Sequence, residues 1–316
     1  GTGCGFNLTG RTNVTIKNVI VTGWQYGFYL YYSSNNTLTN NTAYNNYYGF
    51  RIYGSNNTLT NNTAYNNTYV GGFYISGPYN TLINNTANNN WNGFCLGSSS
   101  YNNLSENTAL NNWYGFKLYN SSSNTLHSNW AINSTTQAYR WDNDSTSNDF
   151  TGSVAANYLC VEVVGCAGVP LQGVEVKVVV DGVTVYASPG FEGTNATTGR
   201  DGKTPWIIVP FQTCISGTTF VENTTMVTVR VGELNAINSP REVNMATSHT
   251  EVFIVFIISF ALDFMVELAL WFFLSVQLTG FGNMGYLVVG VIFLVQAVLV
   301  GFFVLRKVGG WVVAAG

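Results

Sequence analysis

The chain has 316 residues, with 9% charged, 15% aromatic and a formal net charge of -3. So even a balance, with no run of Lys and Arg, excludes nucleic-acid recognition through a basic surface, and the length leaves room for two or three domains. Five cysteines (Cys4, Cys95, Cys160, Cys166, Cys214) without paired C-x-x-C spacing, and only His127 and His249 beside them, give no pattern for a zinc or copper centre or for any other cofactor.

The first 150 residues repeat themselves. Gly-Phe pairs recur every 21 to 23 residues, placing Phe6, Phe28, Phe50, Phe73, Phe94 and Phe116 in one column. A fixed period of this size means stacked coils. Two residues after each Phe comes an aliphatic (Leu8, Leu30, Ile52, Ile75, Leu96, Leu118), which on a strand faces the same side. Further columns follow at Ile16, Leu38, Leu59, Leu82, Leu104 and Leu126, and at Val21, Ala43, Ala64, Ala87, Ala109 and Ala131. Each coil therefore supplies three short inward-facing strands. The Asn and Ser between them suit corners, because Asn tolerates a left-handed backbone and its amide can hydrogen-bond the equivalent Asn one coil away.

This "NNTL.NNTA..N..GF.L" pattern resembles the right-handed parallel β-helix family, in particular the asparagine-rich repeats of archaeal and bacterial surface proteins and of NosD-like periplasmic proteins. The resemblance implies a β-helix of six to seven coils over residues 1–150. On its outward side Arg51 and Lys117 share a column, with Tyr29 and Tyr74 flanking Arg51, which predicts cation-π stacking of structural use. Few acids occur in this part of the chain, so no converging carboxylates for glycoside cleavage are expected. In "DNDSTSND", Asp142, Asp144 and Asp149 form a weak calcium candidate, lacking the sixth-position Gly and the closing Glu of a calcium loop; a polar turn is the competing expectation.

From Tyr158 the composition shifts to valine. Alternation of Val174, Val176 and Val178 with Glu175 and Lys177 predicts antiparallel strands, and Asp181-Gly182 a hairpin turn. "GVPLQGVEVKV" and "TTGRDGKTPWIIVP" resemble small Ig-like or transthyretin-like sandwiches, including the carboxypeptidase regulatory-like family, which implies a spacer or binding module over residues 157–251. An oxidising exterior would favour a disulfide from Cys214 to Cys160 or Cys166.

Residues 252–307 are predicted as a transmembrane helical hairpin, from apolar runs at Val252 to Val276 and Tyr286 to Leu305. Asp263 and Glu267 lie one helical turn apart in the first, a pattern that marks a partner contact or polar pathway, with Gln296 in the second as a neutral partner. Sequons occur at Asn7, Asn13, Asn35, Asn40, Asn56, Asn61, Asn66, Asn84, Asn103, Asn120, Asn133, Asn143, Asn195 and Asn223, which predicts N-linked glycans and an extracellular face.

The fold expected is mainly β: a parallel β-helix, an Ig-like β-sandwich and C-terminal transmembrane helices. The function expected first is a non-catalytic, glycosylated structural protein of the cell membrane, of surface-layer or surface-filament type, with its N-terminal domains extracellular. An accessory subunit of a larger membrane complex is the second reading, and a carbohydrate-binding or polysaccharide-cleaving surface protein the third. The partners expected are the lipid bilayer, N-linked glycans and other membrane or surface proteins, with self-assembly among them.

Overall fold

The structure, a computed structural model, describes residues 2–165, 168–232, 234–235 and 239–255. Apart from a single 3-10 turn at Pro189–Phe191, the regular elements of these residues are β-strands. The chain divides into two compact units.

The first unit contains Gly1–Leu159, Trp206–Thr225 and Asn244–His249. Each coil lays one strand on each of three parallel sheets. One sheet carries the Phe column, in register from Phe6 through Phe28, Phe50, Phe73 and Phe94 to Phe116 and then Tyr139. The second carries the Leu column and the third the Ala column, each in the register that the repeat predicts. The inward side chains from Phe28 to Phe116 are fully buried. Their rings stack at 4.7 to 4.8 Å with interplanar angles of 3° to 6°, the spacing of strands in a sheet.

The corners explain the asparagines. Each corner has a left-handed residue followed by a buried one: Asn35, Asn40, Asn56, Asn61 and Asn84 have φ between 52° and 57°, and Asn36, Asn41, Asn57, Asn62 and Asn85 behind them are buried. The buried amides bond coil to coil. One ladder runs Asn36, Asn57, Asn80, Asn102, Asn124, Asn148; a second runs Asn41, Asn62, Asn85, Asn107, Asn129; a third runs Asn46, Asn67, Asn90, Asn112. Every rung also ties a backbone N–H of one coil to a side-chain oxygen of the next, as Asn62 N–H does to Asn85 Oδ1 at 2.9 Å. These bonds satisfy buried polar groups that would otherwise be orphaned. The ladder also fixes the glycine before each core Phe: a Cβ on Gly49 would lie 2.6 Å from the Gly72 carbonyl oxygen and 3.0 Å from Asn67 Nδ2.

The end of this core is closed by residues remote in sequence. Tyr139 continues the Phe column and donates its hydroxyl to the Asn129 carbonyl at 2.7 Å. Phe150 packs against it edge-on, and Phe220 lies 4.9 Å from it. Phe220 belongs to a hairpin of Ile207–Ser216 and Thr219–Glu222, which also brings Phe211 and Cys214 onto the core. Alternation in the sequence predicts this segment as part of a sandwich spanning 157–251, whereas its contacts place it in the first unit. Alternating apolar residues identify a strand but not the core that it covers.

The second unit contains Cys160–Pro205, Met226–Val243 and the chain from Thr250. Glu175–Val180 and Val183–Ala187 pair antiparallel through a turn at Asp181-Gly182, where both residues have positive φ. Val174, Val176, Val178, Val227 and Val229 are buried. Among the described residues no helix is long and apolar enough to cross a membrane. Val252 to Val255, taken in the sequence as the start of a membrane helix, end the strand His249–Val255, with Phe253 and Val255 buried and Val252 and Ile254 exposed. That two-residue alternation is a strand's. The rest of that run, the second apolar run, Asp263, Glu267 and Gln296 lie outside the described residues.

Candidate functional site

The outward face of the Phe sheet carries a trough of about 940 Å³. Its central column is read from the register: Tyr29, Arg51, Tyr74, Cys95, Lys117 and Arg140 stand on successive coils. Inward neighbours in these strands are near-constant, whereas this column changes chemistry at almost every step.

Arg51 sits in a cage of tyrosines. Its guanidinium lies 4.3 Å from the ring centre of Tyr48, 4.7 Å from Tyr53, 5.1 Å from Tyr26 and 5.6 Å from Tyr74. It donates to the hydroxyl of Tyr26 at 3.0 Å and to that of Tyr53. The cation-π arrangement predicted for Arg51 is present, although Tyr29 stacks instead on Tyr26 and Tyr31. Burial pushes the Tyr48 phenol up to about 12, against the pull of Arg51.

Two coils on, the hydroxyls of Tyr74 and Tyr119 meet at 2.6 Å across the coil of Cys95. The Tyr119 ring occupies the space that a side chain on Gly97 would need. Cys95 beneath is 2% exposed, and burial raises its thiol to about 12 despite Lys117. Lys117 lies 5.1 Å over the Tyr114 ring, and Arg140 donates to the Tyr114 hydroxyl at 2.5 Å. Among the described residues no carboxylate pairs with Arg51, Lys117 or Arg140. Two buried polar atoms of the lining, Arg51 Nε and Asn92 Oδ1, have no partner within the protein. The acid of the lining, Asp142, accepts the Ser145 hydroxyl at 2.6 Å and the Asn120 N–H at 3.1 Å; these bonds, that of Ser145 above all, hold its carboxyl below the usual range.

Beside the trough, and lining it at Tyr69 and Trp91, runs an exposed aromatic edge that the core columns of the repeat do not predict. Trp24, Tyr47, Tyr69, Trp91 and Trp113 occupy the same corner of five coils, each between 40% and 51% exposed. Tyr47 and Tyr69 stack at 4.2 Å, and Trp91 and Trp113 at 4.7 Å. The signal was an aromatic three or four residues before each core Phe.

Other sequence candidates are corrected. Asp142 and Asp149 are committed to different partners: Asp149 pairs with His127 at 2.8 Å and accepts from the Thr151 hydroxyl and N–H at 2.6 and 3.0 Å. Among the described residues no group of three or more His, Cys, Asp and Glu side chains is placed to hold a metal ion, and in the calcium candidate Asp142, Asp144 and Asp149 the first carboxylate is engaged by Ser145 and Asn120 and the last by His127 and Thr151. Cys160 and Cys214 are unbridged and belong to different units; their thiols meet the carbonyls of Thr204 and Gly217. Cys166 lies outside the described residues.

Comparison with known proteins agrees with the solenoid. No curated protein matches the chain. Among solved structures, the A-module of mannuronan C-5 epimerase AlgE4 from Azotobacter vinelandii is similar to it at 15% identity and a TM-score of 0.34, over 46% of this chain and 47% of the module, so the chain spans about half of that module's length. Residues 4–155 match the family model described as right handed beta helix region, and this part of the chain is a right-handed β-helix domain.

Proposed function

We propose that the β-helix binds a polysaccharide along its trough without cleaving it, as the sugar-holding part of a protein displayed at a cell surface. The trough lining carries this reading: Tyr48, Tyr69, Tyr74, Trp91 and Tyr119 beside Arg51, Lys117 and Arg140. Aromatic faces take up the C–H faces of sugar rings by apolar contact, and cations without protein counter-ions are free for hydroxyl or carboxylate oxygens. Hydrolysis of a glycosidic bond in most glycoside hydrolases calls on two carboxyl groups roughly 5 to 9.5 Å apart. The lining offers one, Asp142, engaged by Ser145 and Asn120.

Surface display draws support from the sequons and from the apolar runs, which we assign to a membrane anchor. Asp263 and Glu267 in the first run are then the contact for a membrane partner. The second unit, with its antiparallel valine-rich strands, serves as an Ig-like spacer. The test is titration of the purified protein with neutral and uronate-containing polysaccharides, followed by tryptophan fluorescence and by product analysis. Saturable binding that Trp91→Ala and Tyr74→Ala weaken, with no change in chain length of the polysaccharide, is expected. Absence of binding to either class, or release of shortened products, overturns the proposal.

A further inference from the structure

The corner pairs divide asparagine into two populations. In Asn35-Asn36-Thr37, Asn40-Asn41-Thr42, Asn56-Asn57-Thr58, Asn61-Asn62-Thr63 and Asn84-Asn85-Thr86, the first Asn is the sequon residue, left-handed and exposed. The second is buried in a ladder and is followed by Thr-Leu or Thr-Ala, so it is not in a sequon. The third opens the next strand and is half-exposed. Asn13, exposed at φ 58°, heads the same edge as Asn35 and Asn56. The amides that hold the coils together thus stand apart from those that can be modified. Modification leaves the ladder intact: Asn84 gives one Nδ2 hydrogen to Asn61 Oδ1 at 2.8 Å and has a second to lose.

We propose that Asn13, Asn35 and Asn56 on one edge, and Asn40, Asn61 and Asn84 on the next, are N-glycan attachment sites, and that a glycan on one coil excludes a glycan on the adjacent coil of the same edge. The exclusion follows from spacing. Adjacent coils are about 4.8 Å apart, and the Asn61 and Asn84 side chains already touch. A pyranose ring with its hydroxyl groups is broader than that, so two stems cannot leave neighbouring corners together in the folded coil. The step is a glycosyl transfer from a lipid-linked oligosaccharide: the bond from sugar C1 to the phosphate oxygen breaks, the phosphate leaves with the electron pair, the Asn Nδ2–C1 bond forms, and the Nδ2 proton passes to a base.

The inference rests on the surface location proposed above, but its test does not. The full chain is fused to a secretion signal and produced in a host with an N-glycosylation pathway, and the product, extracted with detergent, is digested with trypsin. No Lys or Arg falls between Arg51 and Lys117, so Asn61 and Asn84 stay on one peptide, with Asn56, Asn66 and Asn103, and fragmentation that assigns each glycan to its Asn reads their joint occupancy by mass spectrometry. Peptides with a glycan on Asn61 or on Asn84, and loss of the form carrying both, are expected. A prevalent doubly modified form, or corner asparagines left bare, overturns the proposal. Thr63→Ala, which removes the Asn61 sequon and keeps Asn61, should raise occupancy at Asn84; unchanged occupancy counts against exclusion even where the variant folds less well. Polysaccharide binding in the trough is measured separately, so failure of either reading leaves the other standing.

Discussion

Asn84 and Asn85 are neighbours of the same residue type, and replacing each by Ala should have very different consequences. Asn85 is fully buried. Its Nδ2 donates to the Leu59 carbonyl and to Asn107 Oδ1, both at 2.9 Å. Its Oδ1 accepts from the Asn62 N–H at 2.9 Å and from Asn62 Nδ2 at 3.0 Å. Ala removes all four bonds: the three besides that of the Asn62 N–H are worth about 1 kcal/mol net apiece, and the Asn62 N–H is left as a buried group without a partner, at about 1 to 3 kcal/mol. The loss should reach about 4 to 6 kcal/mol, no smaller than the roughly 3 to 5 kcal/mol expected for Phe73→Ala in the adjoining Phe column.

Asn84 is exposed, at φ 52°, and its one side-chain bond is on the surface. Asn84→Ala loses little contact but holds an L-residue in the left-handed region at a cost of about 1 to 2 kcal/mol, which Asn84→Gly recovers because Gly adopts that region freely. Denaturant unfolding of the purified protein, followed by near-ultraviolet circular dichroism of the stacked tyrosines, measures these four variants and Asn85→Gly. Equal losses for Asn84→Ala and Asn85→Ala, or rescue of position 85 by Gly, would refute the ladder as the source of cohesion between coils.

Lys117→Met should leave the unfolding midpoint nearly unchanged while weakening binding of a uronate polysaccharide, whereas Arg51→Met should lower stability because it removes the guanidinium from four tyrosine rings; unfolding and titration on the same samples separate the two roles. Cys95, with a thiol pushed up to about 12, presents about one part in ten thousand as thiolate at pH 8, so a disulfide reagent should label it only after unfolding. Asp149 is held down to about 2, by Thr151 first and His127 second. A depressed carboxylate adds stability that is complete above its unfolded value near 4 and is lost as pH falls from about 4 to about 2; Thr151→Val should flatten that acid limb of the stability curve more than His127→Gln.

The repeat made most of the solenoid legible. A column such as Leu38, Leu59, Leu82, Leu104 and Leu126 is stated several times over, so the irregular spacings, 23 residues between Phe50 and Phe73 and 21 between Phe73 and Phe94, do not obscure the register. The inference that Asn turns the corners and bonds the next coil came from the same redundancy. What was illegible depended on single, non-repeating contacts. Tyr119 reaches Tyr74 because Gly97 lacks a side chain on the coil between, and no local pattern encodes that. The hairpin Ile207–Glu222 alternates as a sandwich strand would, yet Phe220 closes the solenoid. Oxygen ligands alternate from Asp142 onward as in a calcium loop, but Ser145 engages the Asp142 carboxylate, and Thr151 and His127 that of Asp149. The aromatic edge went unseen because it shifts by one place between coils, at Trp24 and Tyr47 relative to Phe28 and Phe50.

Division of labour within a coil explains why the trough lies where it does. The Phe, Leu and Ala columns and the three amide ladders consume the inward positions and the corners, and each rung depends on its neighbours above and below. Change there is penalised twice, once for each adjoining coil. The outward position between Phe and the next aliphatic carries no such obligation, since its side chain leaves the sheet. Here Tyr29, Arg51, Tyr74, Cys95, Lys117 and Arg140 follow one another, and chemistry can vary coil by coil without loss of register. A chain-like ligand suits such a surface: it meets a graded series of aromatic and cationic steps at the spacing of the sheet, held in line by a core that varies far less.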